Sequence, residues 1–403
     1  MSTVLDRVID VDSHEMIPTH MWEDWFGDDV APVIAMLQRS PRSTDNGLNT
    51  IARPDVVADD AEITSSSVWN AKGAAAPGAI DMSRRVEAMD AMGVERSLVF
   101  PSFGLVGIRL ASSPELAAAA FGTDLDDAEA RRLGLLAMRT HNAWGARCAS
   151  VESSRRAHPV GVMLTESLDQ MLADLGALIN DGYRAVWIPT ATPPGGTSPA
   201  DPELDSFWRM AADADVAVLL HIGTDFNFPA STRWTANVPA FATPSAAAEF
   251  PVSPFTGATV NFASENFIAA MVLGGVFERV PTLRFGAIEV GAGWLGPLAE
   301  RLDMWAKVFP KRLTGVISMT PSEYLGRNVR VTPFHFEPID TYFERYPAIA
   351  DCFCFSTDYP HVEGGVDTKA RQASQLARLG QGVIEKFFVT NGEWIVPPLR
   401  ITR

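Results

Sequence analysis

Short apolar segments recur along the chain and alternate with longer segments in which apolar residues follow helical spacing. This alternation is typical of β/α units around a parallel sheet. Two predicted helices have clear ends, because the pattern over residues 82–92 stops at Gly93 and the pattern over residues 168–180 stops at Asp181 and Gly182. We predict strands at residues 7–12, 96–101, 159–164, 184–189, 216–221, 282–289, 328–333 and 352–358.

Eight strands with helices between them predict an α/β protein in which residues 1–403 fold as one (β/α)8 TIM barrel. A doubly wound parallel sheet is the alternative. Two segments are too long for ordinary connections and are predicted insertions, residues 41–77 after the first strand and residues 223–265 after the fifth. The second insertion is rich in Phe and leaves directly from the end of a strand. We interpret it either as a lid over the barrel mouth or as an oligomer interface.

The composition narrows the classes of partner and compartment. The chain is 47% hydrophobic, enough for a large core, and its formal charge of −16 disfavours nucleic acids and anionic membranes. No apolar stretch approaches the roughly 20 residues of a membrane span. Cys148, Cys352 and Cys354 are too few for the disulfide framework of a secreted scaffold, and we expect buried thiols. We therefore expect a cytoplasmic protein.

Polar residues of the kinds that bind metals stand where three predicted strands end. Asp12 and His14 close the first strand, His221 closes the fifth and Asp358 closes the eighth. Residues two apart on a strand project to the same face, and the carboxyl ends of barrel strands meet at one rim. A single aspartate or histidine at a strand end is commonly a cap or turn residue. Together these four predict a site for a divalent metal.

Four segments carry a family resemblance: Ile9-Asp10-Val11-Asp12-Ser13-His14, His221, Phe277-Glu278-Arg279-Val280-Pro281-Thr282-Leu283-Arg284-Phe285 and Ser356-Thr357-Asp358-Tyr359-Pro360-His361. The chain resembles the amidohydrolase superfamily over nearly its whole length. Within it the resemblance is to the amidohydrolase-related family, which includes aminocarboxymuconate semialdehyde decarboxylase and γ-resorcylate decarboxylase.

The resemblance implies metal ligands position by position. Asp12 and His14 occupy the place of a first-strand His-x-His or Glu-x-His pair, His221 matches the fifth-strand histidine and Asp358 the eighth-strand aspartate. It also implies a metal-dependent enzyme that hydrolyses or decarboxylates a small, carboxylate-bearing organic compound, with Asp358 also handling a proton. We expect one divalent ion, Zn, Mn or Fe, with two ions as the alternative.

Glu289 departs from the family pattern. Many relatives have His-Gly-Gly at this point, whereas this chain reads Ile288-Glu289-Val290-Gly291-Ala292-Gly293-Trp294. A glutamate can act as a base or a metal ligand, but when ionised it cannot donate a hydrogen bond to an oxyanion. A structural partner for an arginine is the alternative role.

The usual dinuclear hydrolase centre is not expected, because residues 184–189 contain no lysine that could bridge two metals. Glu289 and His361 could nevertheless join the other four ligands in a set of three carboxylates and three histidines. Such a set suits a dinuclear iron or Fe/Mn centre that activates O₂, so an O₂-dependent monooxygenase is one alternative function. A catalytically inactive structural subunit is the second alternative.

The remaining candidates complete the predicted site. We assign catalytic roles to Asp358, Glu289 and His361. Substrate contacts are assigned to residues near strand ends, with core packing as the alternative for the tryptophans: Arg184, Trp187, Trp294, His335 and Tyr359. The expected partner is a small-molecule substrate, and we expect a homodimer or a hetero-oligomer with a related barrel.

Overall fold

Parallel strands form the core of the protein in its computed structural model, which describes residues 2–39, 53–112, 125–150, 156–223, 234–241 and 253–396. The strands are β1 (Val8–Asp10), β2 (Val94–Val99), β3 (Ala157–Pro159), β4 (Gly161–Val162), β5 (Ala185–Trp187), β6 (Ala217–His221), β7 (Phe285–Ile288) and β8 (Val329–Val331). They pair in parallel in the orders β1-β2-β3 and β4-β5-β6-β7-β8. Nearly every strand residue is buried, as expected for strands covered on both faces.

The two groups of strands join into one ring. β3 and β4 occupy one position of the ring and are separated by Val160, whose N–H donates to the carbonyl of Val99 on β2 at 2.9 Å. On the other side, residues 353–359 run between β8 and β1. Cys354 N–H donates to the carbonyl of Val331 at 3.0 Å, and Val11 N–H donates to the carbonyl of Phe355 at 3.2 Å. The predicted (β/α)8 barrel is therefore confirmed.

The structure corrects two of the predicted strands. The predicted third strand is broken into β3 and β4. The predicted eighth strand is an irregular segment that pairs through single bridges, Val331 with Phe353 and Ser13 with Tyr359, rather than through a regular ladder. Its pairing with the chain at β1 combines scattered backbone hydrogen bonds with one from the N–H of Thr357 to the side chain of Asp10. Alternation of residues along a strand does not predict such an irregular pairing.

Helices connect the strands and cover the outside of the barrel. In the first half of the chain they are α1 (Ser2–Leu5), α2 (Trp22–Phe26), α3 (Ala31–Arg39), α4 (Ser67–Asn70), α5 (Met82–Met92), α6 (Phe103–Ser112), α7 (Asp127–Ser150) and α8 (Leu168–Asn180). In the second half they are α9 (Asp205–Asp213), α10 (Pro254–Thr259), α11 (Phe262–Leu273), α12 (Val276–Arg279), α13 (Leu295–Val308), α14 (Pro310–Leu313), α15 (Pro321–Asn328), α16 (Ile339–Arg345), α17 (Thr368–Leu376), α18 (Gln381–Glu385) and α19 (Asn391–Ile395). None of the helices in the described residues is long and apolar enough to cross a membrane.

The two helices with clear sequence ends have the predicted bounds. Helix α5 begins after Asp81, whose side chain accepts a hydrogen bond from the N–H of Ser83, and it ends at Gly93 with φ 71°. Helix α8 begins after Ser167, which accepts from the N–H of Gln170. Side-chain caps and a left-handed glycine are local signals, and therefore the sequence reports them correctly.

The predicted insertions lie partly outside the described residues. Residues 41–52 of the first insertion and residues 224–233 and 242–252 of the second insertion are not among the described residues. The roles of the second insertion as lid or interface therefore stay predictions. None of the described cysteines forms a disulfide, and Cys352 and Cys354 are fully buried, as expected for structural thiols.

Candidate metal centre

The structure brings six predicted ligand side chains together at the carboxyl end of the barrel. Asp12 and His14 follow β1, His221 ends β6 and Glu289 follows β7. Asp358 lies on residues 353–359, the closing segment of the ring, and His361 comes just after it. All are buried except His361, which is half-buried. Six ionisable groups removed from water at one point require compensation by protons or by a cation.

Four of these residues form a first ligand group. One ligand atom each of Asp12, His14, His221 and Glu289 lies within 4.8 Å of all the others. His221 Nε2 is 3.3 Å from Asp12 Oδ1 and 3.3 Å from Glu289 Oε2, and His14 Nε2 is 3.4 Å from the same Asp12 oxygen. Ligand atoms that share an ion at about 2.1 Å lie roughly 3 Å apart, so these spacings suit one metal ion.

A second ligand group overlaps the first. It consists of His14, Glu289, Asp358 and His361, again with ligand atoms within 4.8 Å of one another. His14 Nε2 is 3.2 Å from Asp358 Oδ1, and His361 Nδ1 is 3.0 Å from the same oxygen. The rings of His14 and His361 stack with centroids 3.9 Å apart. Asp358 is thus held between two imidazoles.

The donor chemistry of the histidines fits a metal. His221 Nδ1 lies 2.7 Å from the carbonyl oxygen of Ile222, to which it can only donate, so in a neutral ring the lone pair of Nε2 faces Asp12 and Glu289. His14 Nε2 is buried and has no hydrogen-bond partner among the described residues. A lone pair directed at carboxylates and an orphaned ring nitrogen both call for a cation between them.

Burial and charge crowding shift the pKa values of Glu289, His14 and Asp358. Burial and the neighbouring Asp358 raise the pKa of Glu289 well above its ordinary value. Burial opposes a charge on His14, but the carboxylates of Asp12, Asp358 and Glu289 raise its pKa well above the usual range. Burial likewise opposes ionisation of Asp358, yet the positive charge of His361 and the contact with His14 hold its pKa well below the ordinary value. Without a metal, protons take the place of the missing positive charge.

The backbone is strained at two of the ligands. Glu289 has φ 54° and Asp358 has φ 51°, in the left-handed region that non-glycine residues seldom adopt. The N–H of Glu289 donates to Thr332 Oγ1 at 2.9 Å, and the N–H of Asp358 donates to the carbonyl of Asp12 at 2.8 Å. Such conformations cost about 1–3 kcal/mol each and concentrate at functional sites. Here the left-handed conformations direct the side chains of Glu289 and Asp358 toward the cluster.

A buried carboxylate behind the ligands fastens the closing segment to β1. Asp10 Oδ1 accepts from the N–H of Thr357 at 2.8 Å and from the N–H of Asp12 at 3.2 Å. Asp10 Oδ2 accepts from the hydroxyls of Thr357 at 2.6 Å and Ser97 at 3.2 Å. Asp10 therefore holds the residue before Asp358 and orients Asp12 in the same contact.

The structure places some predicted substrate residues near the cluster. Trp187 ends β5, is almost fully buried, and its ring lies 4.7 Å from that of His221. Its indole Nε1 has no hydrogen-bond partner within the described part of the chain. His335 lines a small cavity together with Asp12, Glu289 and Asp358, and its Nδ1 lies 2.8 Å from the carbonyl of Glu363. These two side chains therefore lie beside the ligand cluster.

Three other predicted substrate residues have different positions. Arg184 immediately precedes β5, at the end of the strand opposite to the ligands, so the barrel does not bring it to the site. The hydroxyl of Tyr359 donates to the carbonyl of Pro77, and its ring lies 5.1 Å from the guanidinium of Arg85, so it braces the wall behind His14. Trp294 lies beyond β7, and its indole N–H donates a hydrogen bond to the carbonyl of Gly291 at 2.7 Å.

Two residues that the sequence did not single out lie at the site. Glu363 lines the same cavity as Asp358, and its Oε1 is 3.9 Å from His361 Nδ1. Its position two residues after His361 is the sequence feature that could have indicated it as a site residue. Arg109 on α6 donates from Nε to the carbonyl of Gly223, two residues beyond a ligand, and burial lowers its pKa to about 10. No carboxylate pairs with Arg109 in the residues that the structure describes. An isolated arginine on a helix carries no sequence signal.

Comparison with solved structures shows the same fold. An amidohydrolase from Mycobacterium avium subsp. paratuberculosis K-10 has a TM-score of 0.66 and 18% identity, covering 98% of this chain and 99% of its own. The 2,6-dihydroxybenzoate decarboxylase from Rhizobium has a TM-score of 0.57 and 18% identity, covering 96% of this chain and 98% of its own. The 5-carboxyvanillate decarboxylase from Novosphingobium aromaticivorans, complexed with manganese and 4-hydroxy-3-methoxy-5-nitrobenzoic acid, has a TM-score of 0.55 and 17% identity, with 96% of both chains covered.

Comparison of sequences assigns the family. No curated protein sequence matches this chain. The family model described as Amidohydrolase matches residues 105–393, well over half of the 403 residues. That range includes His221, Glu289 and Asp358 of the ligand cluster. The chain therefore belongs to the amidohydrolase family of enzymes.

Proposed function

We propose that the protein is a metal-dependent decarboxylase of a small, carboxylate-bearing organic compound. The observation that carries the proposal is the buried first ligand group, in which the Nε2 lone pair of His221 and the orphaned Nε2 of His14 face Asp12 and Glu289. Support comes from relatives of the same fold, two of which are decarboxylases of aromatic acids, one of them complexed with manganese.

Asp12, His14, His221 and Glu289 would hold one divalent ion, and Mn, Zn and Fe all suit two carboxylates with two imidazoles. When bound there, the ion supplies Lewis-acid stabilisation of negative charge that develops on the substrate. The carboxyl end of the barrel is also where enzymes of this fold place their chemistry.

Decarboxylation also requires a proton, because loss of CO₂ leaves an electron pair on carbon. In this chain Glu289 stands where many relatives have a histidine, and an ionised glutamate donates no proton. We assign the role of proton source to His361, whose Nδ1 lies 3.0 Å from Asp358 Oδ1. Burial and His14 oppose its positive charge, but Asp358 and Glu363 raise the pKa of His361 to about 9, so it carries a proton at neutral pH.

Arg109 and Trp187 would contribute to substrate binding. Arg109 is a desolvated cation that donates to the carbonyl of Gly223, and a Cβ added at Gly223 would contact the side chains of Leu105 and Trp187. Trp187 in turn packs against His221. A carboxylate offers the guanidinium the charged partner that it lacks in the described residues, and charge-assisted hydrogen bonds are among the stronger ones in proteins.

The test is metal analysis combined with a substrate screen. Protein prepared in the presence of Mn²⁺ is analysed for bound metal and assayed for CO₂ release from a panel of hydroxybenzoates and other small carboxylic acids. We expect about one ion per chain that is lost in Asp12→Asn and retained in Asp215→Asn, a control on the far side of the barrel whose side chain meets Arg284. Wild-type protein that binds no divalent metal would exclude the proposal.

The same experiment separates the alternatives. Two Fe ions per chain together with O₂ consumption would favour the monooxygenase, and hydrolysis of an amide or ester without CO₂ release would favour a hydrolase. The proposed oligomer, a homodimer or a hetero-oligomer with a related barrel, is tested by light scattering on the purified chain.

A further inference from the structure

Glu337 joins two loops at the carboxyl end of the barrel. Its Oε1 accepts a hydrogen bond from the N–H of Phe334 at 2.7 Å, on the loop after β8. On the loop after β7, the N–H groups of Ala292 and Gly293 donate to the same carboxylate at 3.1 and 2.9 Å. Tyr342 on α16 donates its hydroxyl to Oε2 at 2.8 Å. A carboxylate that accepts these four charge-assisted hydrogen bonds fixes the two loops relative to each other.

The loop after β7 begins at the ligand Glu289, whose backbone is strained. Before Glu289 the chain is fixed by the pairing of β7 with β6, and the N–H of Glu289 itself donates to Thr332. After Glu289 the N–H groups of Ala292 and Gly293 are bound by Glu337. The φ of 54° at Glu289 therefore lies between two fixed points of the chain. A residue stays in the left-handed region only where its surroundings hold it there.

The glycines of this loop allow its close approach to Glu337. Gly291 has φ 72°, and a Cβ added there would lie 3.1 Å from Glu337 Oε1. A Cβ added at Gly293 would lie 2.6 Å from the hydroxyl oxygen of Tyr342 and 3.3 Å from Glu337 Oε2. A side chain at either position would push the loop away from the carboxylate. The two glycines that follow Glu289 are thus suited to the contact with Glu337.

We propose that Glu337 is a positioning residue for the metal centre. By binding the loop after β7 it keeps Glu289 in the left-handed conformation, in which Glu289 Oε2 lies 3.3 Å from His221 Nε2. Glu337 belongs to neither ligand group, so it acts through Glu289. Through Phe334 it also holds the neighbouring His335, which lines the cavity beside the cluster. The inference rests on the proposed function in taking one divalent ion as bound by the first ligand group.

The test is a Zn²⁺ titration of the metal-free full chain by calorimetry, in competition with a chelator. Zn²⁺ binds nitrogen and oxygen ligands more tightly than Mn²⁺ does, so weakened variants still give a measurable affinity. Glu337→Gln keeps the shape of the side chain, but its NH₂ group cannot accept from the N–H groups that it faces. We expect this variant to bind Zn²⁺ with an affinity about tenfold or more below that of wild type.

A ligand variant separates positioning from general damage to the fold. Glu289→Ala removes the side chain that Glu337 directs, and it leaves Asp12, His14 and His221 to bind Zn²⁺. In that background Glu337→Gln should change the Zn²⁺ affinity by less than about twofold. A residue that merely supported the fold would weaken binding equally in both backgrounds.

Asn328→Ala is the matched control, because Asn328 makes the equivalent connection at the opposite end of the barrel. It immediately precedes β8, and its amide donates to the carbonyls of Pro281 and Leu283, before β7, at 3.0 and 2.8 Å. Loss of these bonds should lower the free energy of unfolding in urea without changing the Zn²⁺ affinity.

Gly293→Ala perturbs the same contact without removing a charge, because the added methyl group meets Tyr342. It should weaken Zn²⁺ binding by about threefold or more, and it decides the question if Glu337→Gln does not fold. Circular dichroism melts of the metal-free variants report their folding.

The outcomes separate this inference from the proposed function. A Zn²⁺ affinity of Glu337→Gln, or in its place Gly293→Ala, within about twofold of wild type overturns the positioning role and leaves the metal-dependent function intact. Equal weakening with and without the Glu289 side chain, or equal weakening by Asn328→Ala, also overturns the positioning role alone. Wild-type protein that binds no Zn²⁺ overturns both.

Discussion

Replacing Asp10 should damage both the barrel seam and the metal centre, although Asp10 itself is behind the ligands. Its side chain is 1% exposed and accepts four hydrogen bonds, two from backbone N–H groups and two from hydroxyls. The shortest join it to Thr357, at 2.6 and 2.8 Å. Thr357 precedes Asp358, and the closing segment has few regular ladder hydrogen bonds. The carboxylate of Asp10 therefore contributes much of the attachment of the closing segment to β1.

The magnitude follows from the groups left without acceptors. In Asp10→Ala the N–H groups of Thr357 and Asp12 become buried and unsatisfied, and each such donor costs about 1–3 kcal/mol. The two hydroxyls can rotate toward other acceptors, so we expect a loss of about 4 kcal/mol in the free energy of unfolding. Asp10→Asn keeps one carbonyl oxygen for both N–H groups, and its amide can donate to the hydroxyls, so we expect a loss below about 1.5 kcal/mol.

The assay is urea unfolding of metal-free wild type, Asp10→Ala and Asp10→Asn at pH 8. Burial raises the pKa of Asp10 to about 7, so the carboxylate is ionised at that pH and accepts all four bonds. Calorimetry with Mn²⁺ should show binding about tenfold or more weaker in Asp10→Ala and nearly normal in Asp10→Asn. The reasoning is refuted if Asp10→Ala loses less than about 1 kcal/mol, or if Asp10→Asn is damaged as much as Asp10→Ala.

Three further predictions concern protons and charge. Because the pKa of His14 is raised, Mn²⁺ binding at pH 7 should release about one proton, and the affinity for Mn²⁺ should increase as the pH rises. Calorimetry in buffers of different ionisation enthalpy measures the released proton. A binding enthalpy that does not depend on the buffer would contradict this prediction. Arg109→Gln should raise KM for the carboxylate substrate by about tenfold or more with a smaller change in kcat, whereas exposed Arg378→Gln should change neither. Burial lowers the pKa of His141 to about 4, below its unfolded value, so stability should be full above pH 6.5 and fall toward pH 4 by about 3 kcal/mol. Urea unfolding across that range should show a shallower fall in His141→Phe, and equal slopes would exclude the assignment.

The strand ends that carry ligands could be predicted because each is a local pattern. An apolar run followed by Asp12 and His14, or by His221, shows where a buried strand emerges at the rim, and the general geometry of parallel barrels then brings such ends together. The helix ends at Gly93 and Asn180 were predictable for the same reason, since caps and left-handed glycines act within one turn.

Other features depend on contacts between residues far apart in the chain. The closing segment pairs with β1 and β8 through scattered hydrogen bonds and through Asp10, about 350 residues away, so residue alternation overestimated its regularity. Arg184 lies away from the site because it stands at the start of β5, opposite the rim, a position that the predicted strand over residues 184–189 already implied. Glu363 and Arg109 reach the centre from a loop and a helix, where no periodic pattern indicates the direction of a side chain.

The sequence by itself determined the barrel class, the order of its elements and four candidate ligands, Asp12, His14, His221 and Asp358. Tertiary structure decided how those ligands divide between two overlapping groups, and it placed Glu289 within both. It also decided that Glu363 is buried with an unpaired oxygen beside them. The physical reason is that ligand type and strand ends are properties of neighbouring residues. Distances of 3.2 to 3.3 Å between carboxylates and imidazoles that follow different strands arise only when those strands close into one ring.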